Sequence, residues 1–197
     1  MANDWAHYGP RFGPKLNLKW GEEMPITTYL TKEQVLAVED ALKRELKRIA
    51  IAKKVATSEN ELAVRDILPK TDLNYANEVW KTGSLPAFTY STVSSLRVPD
   101  NKVIGFYGVR DLAGGIGTGI TSVIRFTLGP GKSKVIDLWQ IQKIESEEEL
   151  EGYSDKMIIY GPGEYLGIDF YNIATGVSNV QLLGFVVEPK GELVGQG

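Results

Sequence analysis

A chain of 197 residues with 43% hydrophobic and 24% charged residues has the make-up of a globular domain, and at this length one core can bury roughly 70% of the surface the unfolded chain exposes, so folding needs no staple. The absence of cysteine and the single histidine, His7, exclude disulfides, thiolate and cluster metal sites, cysteine nucleophiles and, within one chain, a histidine-built metal centre or a serine–histidine triad. A net charge of −3 offers no general attraction to nucleic acid or membrane, no window approaches the ~20 apolar residues of a membrane span, and the N-terminus lacks a signal peptide's apolar run, so a cytoplasmic compartment is expected.

Residues 1–30 carry Pro10, Pro14 and Pro25 with Gly9, Gly13 and Gly21, interspersed with Trp5, Tyr8, Phe12 and Trp20. They follow neither helical nor strand periodicity. A solvated tail rarely needs so many aromatic rings, each of which gains by burial. The segment reads as an extended arm lying on a neighbouring subunit or on its own domain, with a disordered tail as the remaining alternative. Trp5, Tyr8, Phe12 and Trp20 are therefore interface candidates.

Thr31 and Gln34 form a capping box in TKEQ, and Val35, Val38, Leu42, Leu46 and Ile49 follow at spacings of three and four. This predicts a helix over 32–56, roughly 35–40 Å long. The opposite face carries Lys43, Arg44, Lys47, Arg48, Lys53 and Lys54 among Glu39, Asp40 and Glu45. Such a face is either simply solvated or a basic contact surface for a protein or a phosphate backbone, with Lys47 and Arg48 as contact candidates. A second capping pair, Ser58 and Glu61, predicts a shorter helix through Leu62 and Ile67 that stops before Pro69. The stretch KTDLNYANEVWKTGSLPAF then reads as an irregular bridge.

From Ser91 onward the pattern is that of strands. Residues 102–109, 121–128, 134–144, 156–160, 164–173 and 179–189 are β-branched and aromatic runs bounded by Gly, Pro, Asn and Asp, without an intervening helical period. They predict an antiparallel β-sandwich or jelly roll preceded by the extended arm and one long helix. The organisation is thus an arm at 1–30, a helical segment and bridge at 31–90, and a β-sandwich at 91–197. In EYLGIDFYN, Leu166, Ile168 and Phe170 are expected to face the core and Tyr165, Asp169 and Tyr171 to face out. Leu182, Leu183, Phe185, Val186 and Val187 are apolar on both faces, which requires a central strand or a second covering layer, either the helix or a neighbouring subunit.

The connections carry little catalytic vocabulary. DLAGGIGTGIT (111–121) lacks the third glycine of a dinucleotide fingerprint and is followed by a strand pattern where that fingerprint needs a helix, and no Lys-Ser or Lys-Thr pair makes it a phosphate loop. It reads as a strand connection whose Gly117 and Gly119 are open to contact by a partner. LGPGK and YGPGE repeat a Gly-Pro-Gly turn suited to hairpin tips or corners. The acidic run at 145–151 includes Glu147 and Glu148. It is either a solvated loop or an electrostatic contact with a basic surface such as the Lys43–Lys54 face of another subunit. Asp137, Glu164 and Asp169 have no spacing that supports a carboxylate hydrolase, and a cupin-type metal site lacks its histidines. No catalytic, cofactor-binding or metal-ligating residue is expected. Tyr107, Trp139, Tyr165 and Tyr171 could form a stacking platform for a sugar ring.

The long helix followed by ELAVRDILPKTDLNYANEVW resembles the N-terminal region of phage-type capsid shell proteins. Residues 102–194, with GPGEYLGIDFYNIATGVSNVQLLGFVVEPKG, resemble the jelly-roll or β-sandwich modules of tailed-virus structural proteins, including cement and decoration proteins. The resemblance covers about half of the chain and transfers no functional residue. It implies a non-enzymatic virion protein, assembled in the host cytoplasm, that forms a homo-oligomer such as a trimer and stabilises a capsid shell protein by contact. Neither a cofactor, a membrane nor direct nucleic-acid contact enters that expectation. The alternative expectation is a carbohydrate- or receptor-binding β-sandwich on a viral fibre or surface protein.

Overall fold

A computed structural model of the chain describes residues 24–25, 30–112, 120–141 and 151–191. In chain order the elements are β1 (Met24–Pro25), α1 (Lys32–Ala52), β2 (Leu62–Asp66), α2 (Pro69–Leu73), β3 (Ser84–Leu85), β4 (Tyr90–Arg97), β5 (Val103–Asp111), β6 (Thr121–Leu128), β7 (Lys134–Gln140), β8 (Glu151–Tyr160), β9 (Tyr165–Asn172), β10 (Gly176–Val177) and β11 (Val180–Pro189). They form a five-stranded sheet ordered β1-β7-β6-β9-β4, a four-stranded sheet ordered β2-β11-β5-β8, and a two-stranded ribbon of β10 and β3. All pairings are antiparallel except the short parallel one between β1 and β7. The fold is an antiparallel β-sandwich with one long N-terminal helix.

Alternation along β5 and β11 splits their side chains between two cores. Ile104, Phe106, Leu182 and Val186 face the five-stranded sheet and pack with Ile124, Phe126, Trp139 and Phe170. Val103, Tyr107, Leu183, Phe185 and Val187 face the other way and pack under α1, on Val38, Leu42, Leu46 and Ala50. The strand apolar on both faces is therefore covered twice, once by the second sheet and once by the helix. Tyr107 stacks between Tyr153 and Phe185 and donates its hydroxyl to Glu39 of α1 at 2.7 Å. Lys43 places its ammonium 4.3 Å above the Phe185 ring.

The start of α1 follows the sequence: the Thr31 hydroxyl accepts from the Gln34 N–H, and the Gln34 side chain accepts from the Thr31 N–H. Its end is a correction, for the helix stops at Ala52 rather than Ala56. Lys54 turns into the left-handed region (φ 62), and the Val55 N–H closes back on the Ala50 carbonyl at 2.9 Å. A larger correction concerns residues 58–67. The Glu61 carboxylate does accept from the N–H groups of Thr57 and Ser58, but this caps only one turn of 3-10 helix, and Leu62–Asp66 is the edge strand β2 paired with β11. Pairing with a sheet edge outweighs the local capping signal. The bridge contains two elements, α2 and the short β3, and α2 sits between the two sheet edges. Its Asp72 reaches Arg65 of β2, and its Leu73 carbonyl accepts from the Ser94 hydroxyl of β4 at 2.6 Å.

The two Gly-Pro-Gly turns serve one hairpin and one corner. Gly129–Lys132 links β6 to β7 within one sheet, with Gly129, Gly131 and Lys132 at positive φ, and Gly161–Gly163 carries the chain from β8 in one sheet to β9 in the other. Between α1 and the sandwich, close approach depends on Gly105, where a Cβ would lie 2.8 Å from Leu46 Cδ2 and 2.9 Å from Leu42 Cδ1. At Gly184 a Cβ would strike the backbone carbonyl of Gly105. A leucine end can shift and a paired backbone cannot. Gly184→Ala is therefore expected to cost about 3 kcal/mol and Gly105→Ala about 1 kcal/mol, read as urea midpoints at unchanged slope. Equal losses would contradict this packing.

Candidate interaction surface

The buried charged groups of the sandwich fall in two clusters. In the first, Arg65 of β2 lies across two carboxylates: its Nη1 and Nη2 donate to Asp72 at 2.6 and 2.8 Å, and its Nε donates to Glu188 of β11 at 2.7 Å. Lys102 completes it, 3.3 Å from Asp72 and 3.2 Å from Glu188. Both carboxylates are 2% exposed, so two cations and two anions are buried together near the end where β5 begins and β11 finishes. Burial pushes the Asp72 and Glu188 carboxyls up. Hydrogen bonds from Arg65, with the charges of Arg65 and Lys102 beside them, outweigh burial and hold both below their ordinary values. Asp72 is helped further by the Leu68 N–H at 2.8 Å.

The second cluster lies on the outer face of the five-stranded sheet. Asp169 points away from the inter-sheet core, as alternation requires, but its expected exposure is a correction: the side chain is 1% exposed. Arg125 donates to it at 3.0 and 2.8 Å. Lys132 closes over it from the β6–β7 turn and also reaches Thr92. Burial raises the Asp169 carboxyl, and the hydrogen bonds from Lys132 and Arg125 bring it below its usual value. Arg125 lies 3.9 Å from the Tyr90 ring, and Tyr90 packs on Tyr171 at 5.2 Å.

The far end of the sandwich is built differently. There β4, β6 and β11 begin and β5, β7 and β9 finish. The β3–β4, β5–β6 and β9–β11 connections fall within residues 82–96, 112–124 and 170–187, three stretches without a single Asp, Glu, Lys or Arg in a chain where these are about one residue in four. By contrast the β7–β8 connection, whose two flanking strand ends are also at this end, carries Lys143, Glu145, Glu147, Glu148 and Glu149 in its sequence. Neutral groups tie the three uncharged stretches together. The Thr121 hydroxyl meets Asn172 Oδ1 at 3.0 Å and the Ser178 hydroxyl at 2.6 Å, and Ser178 and Thr82 exchange backbone and side-chain bonds at 3.0 Å. The Asn172 Nδ2 is buried without a partner among the described residues.

Over this neutral knot sit exposed apolar side chains. Phe88 is 71% exposed and Ile173 53%, with Leu112 and Val177 also at the surface. Backbone bonds hold them in one rim: Phe88 N–H to Asn172, Ile173 N–H to Ile120, Leu112 N–H to Asn179, and Val177 opposite Ser84. Phe88 also lies at φ 56, a left-handed conformation that costs a bulky L-residue roughly 1–2 kcal/mol. The backbone is strained and the ring is mostly solvated, so its burial returns little to its own fold. Arg110, Asp111 and the start of β8 mark the charged margin of this surface.

Of the sequence-derived contact candidates, Trp5, Tyr8, Phe12, Trp20, Gly117, Gly119, Glu147 and Glu148 lie outside the described residues. Lys47 and Arg48 are on the solvent side of α1, but each faces a carboxylate of its own chain, Glu59 at 3.9 Å and Glu45 at 2.6 Å. The stacking platform is corrected: Tyr107 and Trp139 are buried in different cores, whereas Tyr165 is exposed and Tyr171 half-buried on the outer sheet face. Glu164 accepts from the Gly161 N–H within its own turn, and Asp137 from the Leu138 N–H. Among the described residues no group of three or more His, Cys, Asp or Glu is placed to hold a metal ion. Sequence reading missed Phe88 and the neutral end, although the three charge-free stretches were visible signals. No protein-family model matches the chain, and no curated protein matches it.

Depressed carboxylates stabilise the fold above the ordinary carboxylate range of about pH 4, and that stabilisation is lost as pH falls through the lower folded values, where the unfolded chain binds protons first. Arg65→Leu leaves buried Asp72 and Glu188 with Lys102 alone. It is expected to cost about 3–5 kcal/mol at pH 7, and less near pH 3.5, where neutral carboxyls no longer need the cation. Urea denaturation of both proteins at the two pH values reads this directly; a cost independent of pH would contradict the charge lock.

Proposed function

We propose that this protein is a non-enzymatic structural subunit that acts through protein–protein contacts, of the virion cement or decoration kind that its sequence resembles. The observation that carries the reading is the neutral, apolar end with its strained, solvated Phe88. Interface cores are depleted in charge and built on aromatic anchors. Burying the rim around Phe88 and Ile173 in a contact displaces water from neutral groups that already bond one another. The described carboxylates of Asp72, Asp169 and Glu188 are each neutralised by cations of the same chain, an arrangement suited to holding a fold rather than to moving protons.

In this reading the purified chain sediments as a homo-oligomer, and its addition to capsid shells that lack it raises the temperature at which they come apart. A monodisperse monomer that neither joins nor stabilises a shell would refute the assignment.

A second reading rests on the outer face of the five-stranded sheet. Tyr90 and Tyr171 pack against each other beside Arg125, Lys132 and Asp169, with Tyr165 exposed along the same strand as Tyr171. A ring face bordered by fixed polar groups is the surface on which a sugar stacks. This reading expects specific signals on a glycan array that fall at least about tenfold for Tyr171→Ala, one hot-spot contact's worth. A blank array removes it.

A further inference from the structure

We propose that the outer face of the five-stranded sheet is a site for a saccharide that carries a carboxylate, with the sugar ring on Tyr171 and the carboxylate on Arg125 and Lys132. The inference rests on the sugar-stacking reading above and names the chemical class of its ligand. α1 covers the outer face of the other sheet, whereas this one is left open, with Thr92, Ser95, Val135 and Tyr165 exposed on it. Alternation along β4, β6, β7 and β9 brings one acidic side chain to this face among the described residues, Asp169. Arg125 and Lys132 both pair with that carboxylate, and Arg97, further along the face, pairs with Asp100. One positive charge is therefore left over. It lies on the solvent side, because Asp169 is 1% exposed while Arg125 and Lys132, which close over it, are 29% and 26% exposed. A ligand meets the cations rather than the anion beneath them.

The second cation is not needed to neutralise Asp169, and bringing it there is costly. Lys132 takes a left-handed backbone, φ 58, which side chains of its size rarely adopt. β9 gives up a side chain at Gly167, where a Cβ would lie 3.1 Å from Lys132 Cγ and would strike the Thr127 hydroxyl. A glycine inside a strand marks a close approach; here it lets the lysine stem lie flat on the sheet. Local strain of this kind is stored where a group must be held in place for function. The two cations are already spaced for a carboxylate, since Asp169 gives one oxygen to each, Oδ2 to Arg125 and Oδ1 to Lys132. Arg125 spends Nε and Nη2 on Asp169, which leaves Nη1, and Lys132 spends two of its three ammonium hydrogens, on Asp169 and Thr92. Tyr171 follows on the same face of β9, about 7 Å along the strand from Asp169, a span that a sugar ring and its carboxylate bridge. A single net charge suits one carboxylate per ring. A nucleic-acid backbone, whose binding grows with each phosphate neutralised, finds too few cations here.

The test applies the full chain to an array on which sialyllactose stands beside lactose, hyaluronan oligosaccharides beside chitin oligosaccharides, and an oligothymidylate beside both. At least one acidic glycan is expected to bind at least about tenfold more tightly than its neutral counterpart, with the gap closing as salt is raised. Lys132→Gly suits the left-handed backbone, so its melting temperature is expected to stay within a few degrees. It is expected to abolish the preference for the acidic member and leave binding of the neutral one unchanged, whereas Tyr171→Ala weakens both. Equal binding of acidic and neutral members, or a Lys132→Gly loss that falls on both alike, overturns this inference and leaves the sugar-stacking reading standing. Preference for the oligothymidylate overturns it in favour of nucleic acid. A blank array sinks the inference and the sugar-stacking reading together.

Discussion

The fold depends on a pair of strands that cannot be left with a solvated face. β5 and β11 are apolar on both sides, and each buried Val, Leu or Phe there is worth about 1.5–3 kcal/mol relative to exposure. Two covers are therefore required. The five-stranded sheet supplies one and α1 the other. The position of α1 is decided by Leu42 and Leu46, both fully buried, and by the absence of a side chain at Gly105, which admits them. Its surface ion pairs, Lys43 with Glu39 and Arg48 with Glu45, are each worth about 0.3–0.5 kcal/mol. They decorate the helix; they do not place it.

That hierarchy explains which parts of the fold were legible in the sequence. The start of α1 was readable because Thr31 and Gln34 act locally, whereas its end was not: no glycine marks the stop, and Lys54 adopts a left-handed conformation unfavourable to lysine. Six strands were readable from their composition. β2 was misread because Ser58 and Glu61 do form the expected local bonds, while the conformation of residues 62–66 is settled by pairing with β11, far away in sequence. β4 begins in a run of Ser and Thr with few apolar residues and acquires its strand character from β9. Asp169 was placed on the correct side of its strand but given the wrong environment, since nothing in the sequence near it announces that Arg125 and Lys132 will close over it.

The candidate surface was only half legible for a related reason. Three charge-free stretches can be counted in the sequence, yet their meaning depends on topology, which returns all of them to one end of the sandwich. The contrast with the other end then follows from the cost of burying charge. The ion pairs among Arg65, Asp72, Lys102 and Glu188 are tolerable because each carboxylate is met by two cations and the geometry does not change; pulling one partner out would leave a buried charge uncompensated. Such a cluster suits a permanent interior. It would suit poorly a surface that must be wet in one state and dry in another.

A neutral end meets that second requirement. Thr121, Asn172, Ser178 and Thr82 satisfy one another largely without solvent, so drying the surface above them costs little beyond the apolar side chains, whose burial is favourable. Phe88 sharpens the point. Its backbone strain is a cost borne in the folded chain, and its mostly exposed ring returns little to the fold. In a contact the same ring would contribute about as much as a buried core side chain, without a new ordering cost for its backbone, since the hydrogen bond to Asn172 already fixes the turn. The two ends of the sandwich are thus held by different chemistry: the ionic cluster of Arg65, Asp72, Lys102 and Glu188 holds the end where β5 begins, and hydrogen bonds between neutral groups hold the end where it finishes, beside the strained backbone of Phe88.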